Sequence, residues 1–287
     1  MFAIAGVTGR VGGATARALL RAGHAVRAVL RDAGKASAWK DLGAEIAIAD
    51  FGDLPAMTRA FKGAEGAFLM VPPDFAPAPG FPGARAAIAV EVEAARAAGV
   101  ARVVALSSIG GHREHGLGLI TQARLLEEAL REQPFATAIL RPGWFMENSE
   151  WDIAPARETG EMASFLTPLD RPHAMVATAD IGSVAAEVLP QRWGGRRVIE
   201  IAGPRRYSQN QIATLLGRAI GREVKPRPVS REEWEALFNS QGSAWPTPRI
   251  EMLEGFNSGW IDFEPGIHEH VVGLTPYETV LSELARR

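Results

Sequence analysis

The stretch that decides the fold is FAIAGVTGRVGGATARALLRAG, residues 2–23. Its short apolar run at 2–7 leads into a glycine-rich turn that opens a segment with helical periodicity. Gly6, Gly9 and Gly12 allow a sharp turn, close approach of a pyrophosphate and tight packing of the helix on the strand. Free backbone N–H groups and the positive end of the helix dipole would face the phosphates. The stretch therefore predicts a dinucleotide-binding fold, the alternative being a glycine-rich turn that holds no ligand.

Strand-like and helix-like segments alternate over the first 142 residues of the chain. The pattern predicts five further strands, at 25–30, 44–50, 66–71, 101–108 and 135–143. Helical segments separate these strands, which predicts a Rossmann-type α/β fold with a doubly wound parallel sheet. Helix N-caps are predicted at Asp53, Asp180, Ser208 and Ser230. Because the alternation weakens beyond Trp144, we expect a dinucleotide-binding domain at 1–150 and a smaller α-rich C-terminal lobe, interleaved with it, at 151–287.

The composition excludes several classes of function. The 287 residues have a net charge of −2 and are 47% hydrophobic, which gives no indication of nucleic acid or an anionic membrane as a partner. The sequence has no cysteine, so disulfides, thiolate nucleophiles and cysteine-ligated metals are excluded. No apolar run approaches the ~20 residues that span a bilayer, and the N-terminus lacks a signal-peptide pattern. A cytoplasmic protein with a small-molecule substrate is therefore expected.

The end of the second predicted strand bears on the choice of dinucleotide. An NAD site places a carboxylate about 20 residues past the turn, where it binds the ribose 2′-hydroxyl. This chain has Arg31 at that position, with Lys35 shortly after it. A guanidinium suits a 2′-phosphate, so NADP(H) is favoured over NAD(H). The alternative is that Arg31 is a solvated surface charge.

Six segments carry a resemblance to a known family: GVTGRVGG (6–13), VRAVLRD (26–32), ADFGD (49–53), VVALSS (103–108), LLEEAL (125–130) and ILRPGWFMEN (139–148). On these segments the chain resembles the NmrA-like branch of the atypical short-chain dehydrogenase/reductases, and it is similar to the quinone oxidoreductases of that branch. The resemblance implies a set of residues that border the cofactor. They are Thr8, Arg10 and Val11 in the phosphate turn, Asp50 and Phe51 beside the adenine, and Met70, Val71, Pro72 and Ser107 along the path to the nicotinamide.

The acid used by relatives that reduce carbonyl groups is missing. Hydride addition to a ketone leaves a strongly basic alkoxide, and such relatives protonate it with a Tyr-x-x-x-Lys pair. Aligned on the resemblance, that pair would fall at Leu119 and Ala123. The only tyrosines are Tyr207 and Tyr277, and no lysine lies between residues 62 and 225, so a shift in alignment does not restore the pair.

Two classes of function remain. The first is an NADPH-dependent reductase that transfers hydride to a quinone or a similar electron-poor molecule, because a hydroquinone anion is a weak base that water can protonate. By the resemblance, Trp144 and Phe145 would wall a flat pocket and Asn148 would bind a quinone oxygen, the alternative being that the two aromatic residues pack between the lobes. The second is a non-catalytic NADP(H) sensor that acts through a protein partner. A homodimer is compatible with both.

Two histidines and one loop have two interpretations each. His112 and His115 follow the fifth predicted strand. One interpretation is that either histidine replaces the tyrosine as proton donor. The other is that both are solvated loop residues. No third ligand accompanies them, so we predict no metal site. The loop at 72–83 contains five prolines and would form a stiff flap over the site, or an exposed variable loop.

Overall fold

A computed structural model describes residues 1–286 of the chain. Within these residues the strands are β1 Phe2–Ile4, β2 Val26–Leu30, β3 Glu45–Ile48, β4 Gly66–Met70, β5 Arg102–Leu106, β6 Ala136–Pro142, β7 Trp144–Phe145, β8 Glu161–Ser164, β9 His173–Val176, β10 Arg196–Ala202, β11 Arg206–Tyr207, β12 Lys225–Pro228 and β13 His270–Val272. The α-helices are α1 Arg10–Arg21, α2 Ala36–Asp41, α3 Leu54–Phe61, α4 Pro82–Ala97, α5 Thr121–Ala129, α6 Glu150–Thr159, α7 Thr178–Val188, α8 Gln209–Ile220, α9 Trp234–Ser240, α10 Thr247–Ser258 and α11 Tyr277–Ala285. Short 3-10 turns span Ala33–Lys35, Gly118–Ile120, Met146–Ser149 and Arg231–Glu233.

The main sheet has eight strands in the order β3-β2-β1-β4-β5-β6-β10-β13, and its neighbouring strands are parallel throughout. Phe2 of β1 lies beside Val26 of β2 on one side and Gly66 of β4 on the other. The chain therefore winds outward in both directions from β1. The crevice at the carboxyl ends of β1 and β4 is the place where doubly wound sheets bind ligands. The predicted Rossmann-type fold is confirmed.

Helices cover both faces of this sheet. One core cluster joins the sheet to α1 and α7 and contains Leu19, and the other joins it to α3, α4 and α5 and contains Leu126. The helices α1 and α7 lie in close contact. A Cβ atom added to Gly182 of α7 would be only 2.4 Å from the Cβ of Ala14 in α1. The segment beyond residue 150 thus fixes the helix that starts at the glycine-rich turn.

The part of the chain beyond residue 150 builds the end of the main sheet as well as the smaller lobe. It supplies β10 and β13 to the sheet. It also supplies most of two further core clusters, one around α6, α8 and α11 and one around α9 and α10. The division at residue 150 stays a prediction. None of the helices within residues 1–286 is long and apolar enough to cross a membrane.

Candidate dinucleotide site and cleft

The glycine-rich turn after β1 is compact and has an open outer side. Gly6 has a φ of +65°, and the Gly9 N–H donates to the Gly6 carbonyl at 2.9 Å. A Cβ on Gly12 would lie 2.5 Å from that carbonyl, so only glycine fits there. On Gly9 a Cβ would meet no other heavy atom than this oxygen, at 3.2 Å. The helix α1 begins without a side-chain cap, which leaves its first N–H groups for an anion.

The other predicted residues of the turn differ in what they can offer. Thr8 is exposed, whereas the Val11 side chain is buried in the core, so Val11 can contribute only its backbone. The Arg10 guanidinium forms an ion pair with Glu150 at the start of α6. This ion pair joins the turn to the lobe across the cleft.

The cations predicted to bind a 2′-phosphate lie where β2 ends. The Arg31 side chain is 79% exposed, and its nearest carboxylate is that of Asp50, at 3.9 Å. Lys35 is exposed at the end of its 3-10 turn, while the Asp32 carboxylate accepts the Gly34 N–H at 2.9 Å. Two exposed cations, one of them loosely paired with Asp50, therefore face solvent here. Phe51, predicted to border the adenine, is half-buried beside Asp50.

The residues predicted along the nicotinamide path follow β4. Met70 ends the strand, and a Cβ on Gly6 would lie 2.9 Å from its Sδ, so Met70 contacts the turn. Val71 is half-buried and packs against the cluster on the α4 side of the sheet, and Pro72 is half-buried after it. The structure thus brings the end of β4 and the phosphate turn together at one edge.

Ser107 is bound within a buried ionic network that sequence reasoning missed. Its hydroxyl donates to Glu127 Oε1 at 2.5 Å, and Arg141 donates to both oxygens of the same carboxylate, at 2.8 and 2.7 Å. Arg196 adds a further bond to Glu127 at 2.8 Å. The Ser107 hydroxyl therefore donates its proton within the network, and toward a cofactor it can only accept a hydrogen bond. No spacing in the sequence indicates this network, because Glu127, Arg141 and Arg196 lie on α5, β6 and β10.

At Leu119, where the resemblance predicts the missing tyrosine, the chain is tightly packed. Leu119 is buried in the 3-10 turn that precedes α5. The preceding Gly118 donates its N–H to Glu251 at 3.1 Å, and a Cβ on it would lie 1.9 Å from the Pro248 carbonyl oxygen of α10. This turn is therefore packed tightly against α10 of the lobe.

Neither tyrosine of the chain can act in its place. Tyr207 and Tyr277 are buried in the lobe, with their ring centroids 5.1 Å apart. Burial is the main cause that raises the pKa of Tyr277, whose hydroxyl lies 2.8 Å from the Ser149 hydroxyl.

The two histidines of the loop after β5 have different surroundings. The His115 ring stacks on Trp260, with centroids 5.1 Å apart. His112 lines a pocket of about 290 Å³ that it shares with Glu127 and Glu264. Both His112 ring nitrogens are enclosed without a hydrogen-bond partner, and burial lowers the pKa of this histidine. Within residues 1–286 there is no cluster of three metal-ligating side chains.

The predicted substrate residues form one run after β6. Trp144 is half-buried and borders both lobe clusters, with its ring centroid 5.1 Å from that of Phe256. Phe145 is half-buried against the core on the α1 side, and Asn148 is exposed. Trp144 therefore packs against the lobe and Phe145 against the core of the main sheet, and both keep part of their surface accessible.

The proline-rich loop reaches the lobe on the far side of the cleft. Gln122 of α5 donates to the Asp74 carbonyl at 2.9 Å. The next residue, Phe75, contacts Trp151 of α6, with ring centroids 5.8 Å apart at an interplanar angle of 76°. Sequence reasoning missed Gln122 and Trp151, because their partners are distant along the chain.

Comparisons with known proteins agree with this geometry. The model of the NmrA-like family matches residues 1–244. Quinone oxidoreductase 2 of Escherichia coli (strain K12) is 29% identical over 245 residues, which cover 84% of this chain and 82% of that protein. The NAD(P)H azoreductase of Xenophilus azovorans is 26% identical over 245 residues, with the same coverage of 84% and 82%.

Solved structures are similar over the full length of the chain. The crystal structure of an NADPH-dependent quinone oxidoreductase from Escherichia coli complexed with NADPH has a TM-score of 0.76 and 25% identity, and the match covers 100% of this chain and 95% of that chain. Triphenylmethane reductase from Citrobacter sp., complexed with NADP(H), has a TM-score of 0.82 and 20% identity, with 99% of this chain and 100% of that chain covered. This second likeness shows the fold.

Proposed function

The chain belongs to the NmrA-like family, and we propose that it is an NADP(H)-dependent reductase that transfers hydride to a quinone or a similarly electron-poor small molecule. The observation on which the proposal depends is the contrast between two parts of one cleft. The phosphate turn has an open outer side, while Leu119, to which the resemblance assigns the acid's position, is buried in a turn packed against α10. Such a site is suited to an acceptor that needs no acid from the protein.

The residues present fit NADP(H). The open side of Gly9 and the uncapped N-terminus of α1 would hold the diphosphate. The exposed Arg31 and Lys35 would bind the 2′-phosphate, for which a guanidinium provides a bidentate fork. When bound, the reduced cofactor supplies the hydride.

The remaining residues orient the acceptor and exclude water. The exposed parts of Trp144 and Phe145 would support a flat ring, and the Asn148 side-chain amide would donate to a quinone oxygen. Reduction gives an aromatic hydroquinone anion that solvent can protonate, so proximity and orientation are the main contributions of the protein. The similarity to a quinone oxidoreductase and an azoreductase supports this substrate class.

A direct assay tests the proposal. Purified protein is mixed with NADPH and a panel of quinones and azo compounds, and the loss of reduced-nicotinamide absorbance is followed. We expect turnover with at least one quinone and none with plain aldehydes or ketones. Reduction of simple ketones at a comparable rate would contradict the proposal, because it requires an acid that the cleft does not provide.

One observation favours a second candidate, a non-catalytic NADP(H) sensor that acts through a protein partner. Val272 and Leu274, at the last strand in the order of the main sheet, are among the exposed large apolar residues. Such residues can form part of a protein interface. Tight NADPH binding without turnover of any acceptor would favour the sensor over the reductase.

A further inference from the structure

Two exposed aromatic side chains contact each other across the cleft. Phe75 is 55% exposed and Trp151 is 63% exposed, although each is a large apolar side chain. Their rings meet edge to face, with centroids 5.8 Å apart. Neither residue belongs to a buried core cluster, so their packing contributes little to the fold. Exposed aromatic surface of this kind is typical of a binding site.

The pair lies at the mouth of the cleft. Phe75 follows β4, the strand next to β1 in the sheet. Trp151 follows Glu150, whose carboxylate is bound by Arg10 at the start of α1. Only the turn Met146–Ser149 and Glu150 separate Trp151 from the aromatic wall at Trp144 and Phe145. The outer pair therefore lies close along the chain to the inner wall at Trp144 and Phe145.

The loop presents Phe75 in a restricted set of conformations. The Asp74 carbonyl accepts a bond from Gln122 at 2.9 Å, and the Asp74 carboxylate accepts the Ala76 N–H at 3.0 Å. Five prolines limit the backbone of the segment 72–83. A ring held in this way loses little conformational entropy when it closes on a ligand.

We propose that Phe75 and Trp151 form an outer stacking site for planar acceptors of two or more rings. This inference rests on the proposed function and names its substrate class. The reacting ring would lie against the exposed parts of Trp144 and Phe145. A second ring would extend outward onto Trp151, where the Phe75 ring, which now meets the indole edge to face, would cover it. A single-ring quinone would fill the inner wall and leave the outer pair unused.

Steady-state kinetics of Phe75→Ala and Trp151→Ala test the inference with phenanthrenequinone and benzoquinone as acceptors. Because an aromatic contact changes binding by about tenfold at most, we expect the KM for the three-ring quinone to rise about tenfold in each variant. The KM values for benzoquinone and NADPH should stay within about twofold. Trp245→Ala, which removes another exposed tryptophan of the lobe, is the matched control and should change none of these values.

Three results would overturn the inference. Equal losses for both quinones would mean that the pair only shapes the cleft, and a raised KM for NADPH would mean that it closes over the cofactor. Unchanged kinetics would mean that the two rings are surface residues. The variants Phe75→Leu and Trp151→Leu, which keep apolar bulk, give the same test if an alanine variant does not fold.

Failure of the proposed function would be recognised separately. If the wild-type chain reduces no quinone, calorimetry of the two quinones with the NADP⁺-saturated protein replaces kinetics. A preference for phenanthrenequinone that Trp151→Ala abolishes supports the stacking site without turnover. The absence of that preference in the wild-type chain would overturn it.

Discussion

Arg31 should decide which dinucleotide the chain prefers. In Arg31→Ala, loss of a charge-assisted contact worth about 1.5–3 kcal/mol should weaken NADPH binding by about ten- to a hundredfold and leave NADH binding nearly unchanged. Isothermal titration with both dinucleotides measures this. Lys40→Ala, in which an exposed cation of α2 is removed, serves as the control. An unchanged preference for NADPH would mean that Arg31 is a solvated charge.

Glu127 should matter for stability far more than its sequence neighbour. Glu127→Ala removes the carboxylate that binds Ser107, Arg141 and Arg196 and leaves the buried Arg141 paired only with Glu264, which should lower the free energy of unfolding by up to about 3–5 kcal/mol. Glu128→Ala removes only a surface ion pair with Arg124, worth about 0.3–0.5 kcal/mol. Denaturant unfolding of both variants provides the comparison, and similar losses would show that the buried network contributes little.

Asp152 should make stability depend on pH. Burial raises its pKa from 3.8 to about 7, opposed by a hydrogen bond from Ser149. The folded chain therefore holds this proton more tightly than the unfolded chain, so the stabilisation is present at low pH and is lost as pH rises through about 7. Burial lowers the pKa of His173 to about 4. This side chain therefore makes the free energy of unfolding rise with pH, and only below its ordinary pKa of 6.5. Between about pH 4 and pH 7, Asp152→Asn should remove this decline in unfolding free energy relative to the wild type, because the contribution of His173 is the same in both chains. A slope equal to that of the wild type would contradict the assignment.

The 3-10 turn before α5 should tolerate no side chain at Gly118. Gly118→Ala places a Cβ where the α10 backbone lies, at a φ of +52°, so we expect a loss of more than about 2 kcal/mol in unfolding free energy. Gly63→Ala is the matched control, because Gly63 also has a positive φ, +76°, but has open space around its Cβ position. Its cost should be about 1 kcal/mol. Equal decreases in melting temperature for the two variants would mean that α10 can move to accommodate the added methyl group.

Local patterns predicted most of the elements, and contacts distant in sequence explain the errors. The caps at Asp53, Ser208 and Ser230 are confirmed, because each side chain bonds to an N–H of its own first turn. The cap at Asp180 is wrong. The helix α7 begins earlier, and Glu147 binds the N–H of Thr178 at 2.9 Å, while Asp180 binds Thr275. Nothing near residue 178 in the sequence indicates a carboxylate from another turn.

The candidate site shows the same limit. The phosphate turn and the exposed Arg31 are local features, and their predicted positions lie at one edge of the sheet. The hydrogen bond from Ser107 to Glu127 and the contact between Phe75 and Trp151 form only once the chain has folded, so no spacing in the sequence indicates them. The bond to Glu127 distinguishes Ser107 from a serine whose hydroxyl could still donate to a ligand.

The chain as a whole should not fold as two separable parts. Residues 1–150 alone would lack β10, the partner of β6, and α7, which packs on α1. We expect this fragment to be aggregated or to lack cooperative thermal unfolding, because an open edge and an apolar face would both be exposed. Size-exclusion chromatography and circular dichroism measure this. A monomeric fragment with a sharp transition would show that the first six strands are sufficient.

The position of β13 also has a consequence for synthesis on the ribosome. Seven of the eight strands of the main sheet are synthesised before its outermost strand, His270–Val272. Until the codons of that strand are read, the outer edge of β10 has no partner and can pair with a neighbouring nascent chain. A premature stop codon before His270 would leave that edge permanently open. Its product would be more prone to aggregation than the loss of one three-residue strand implies.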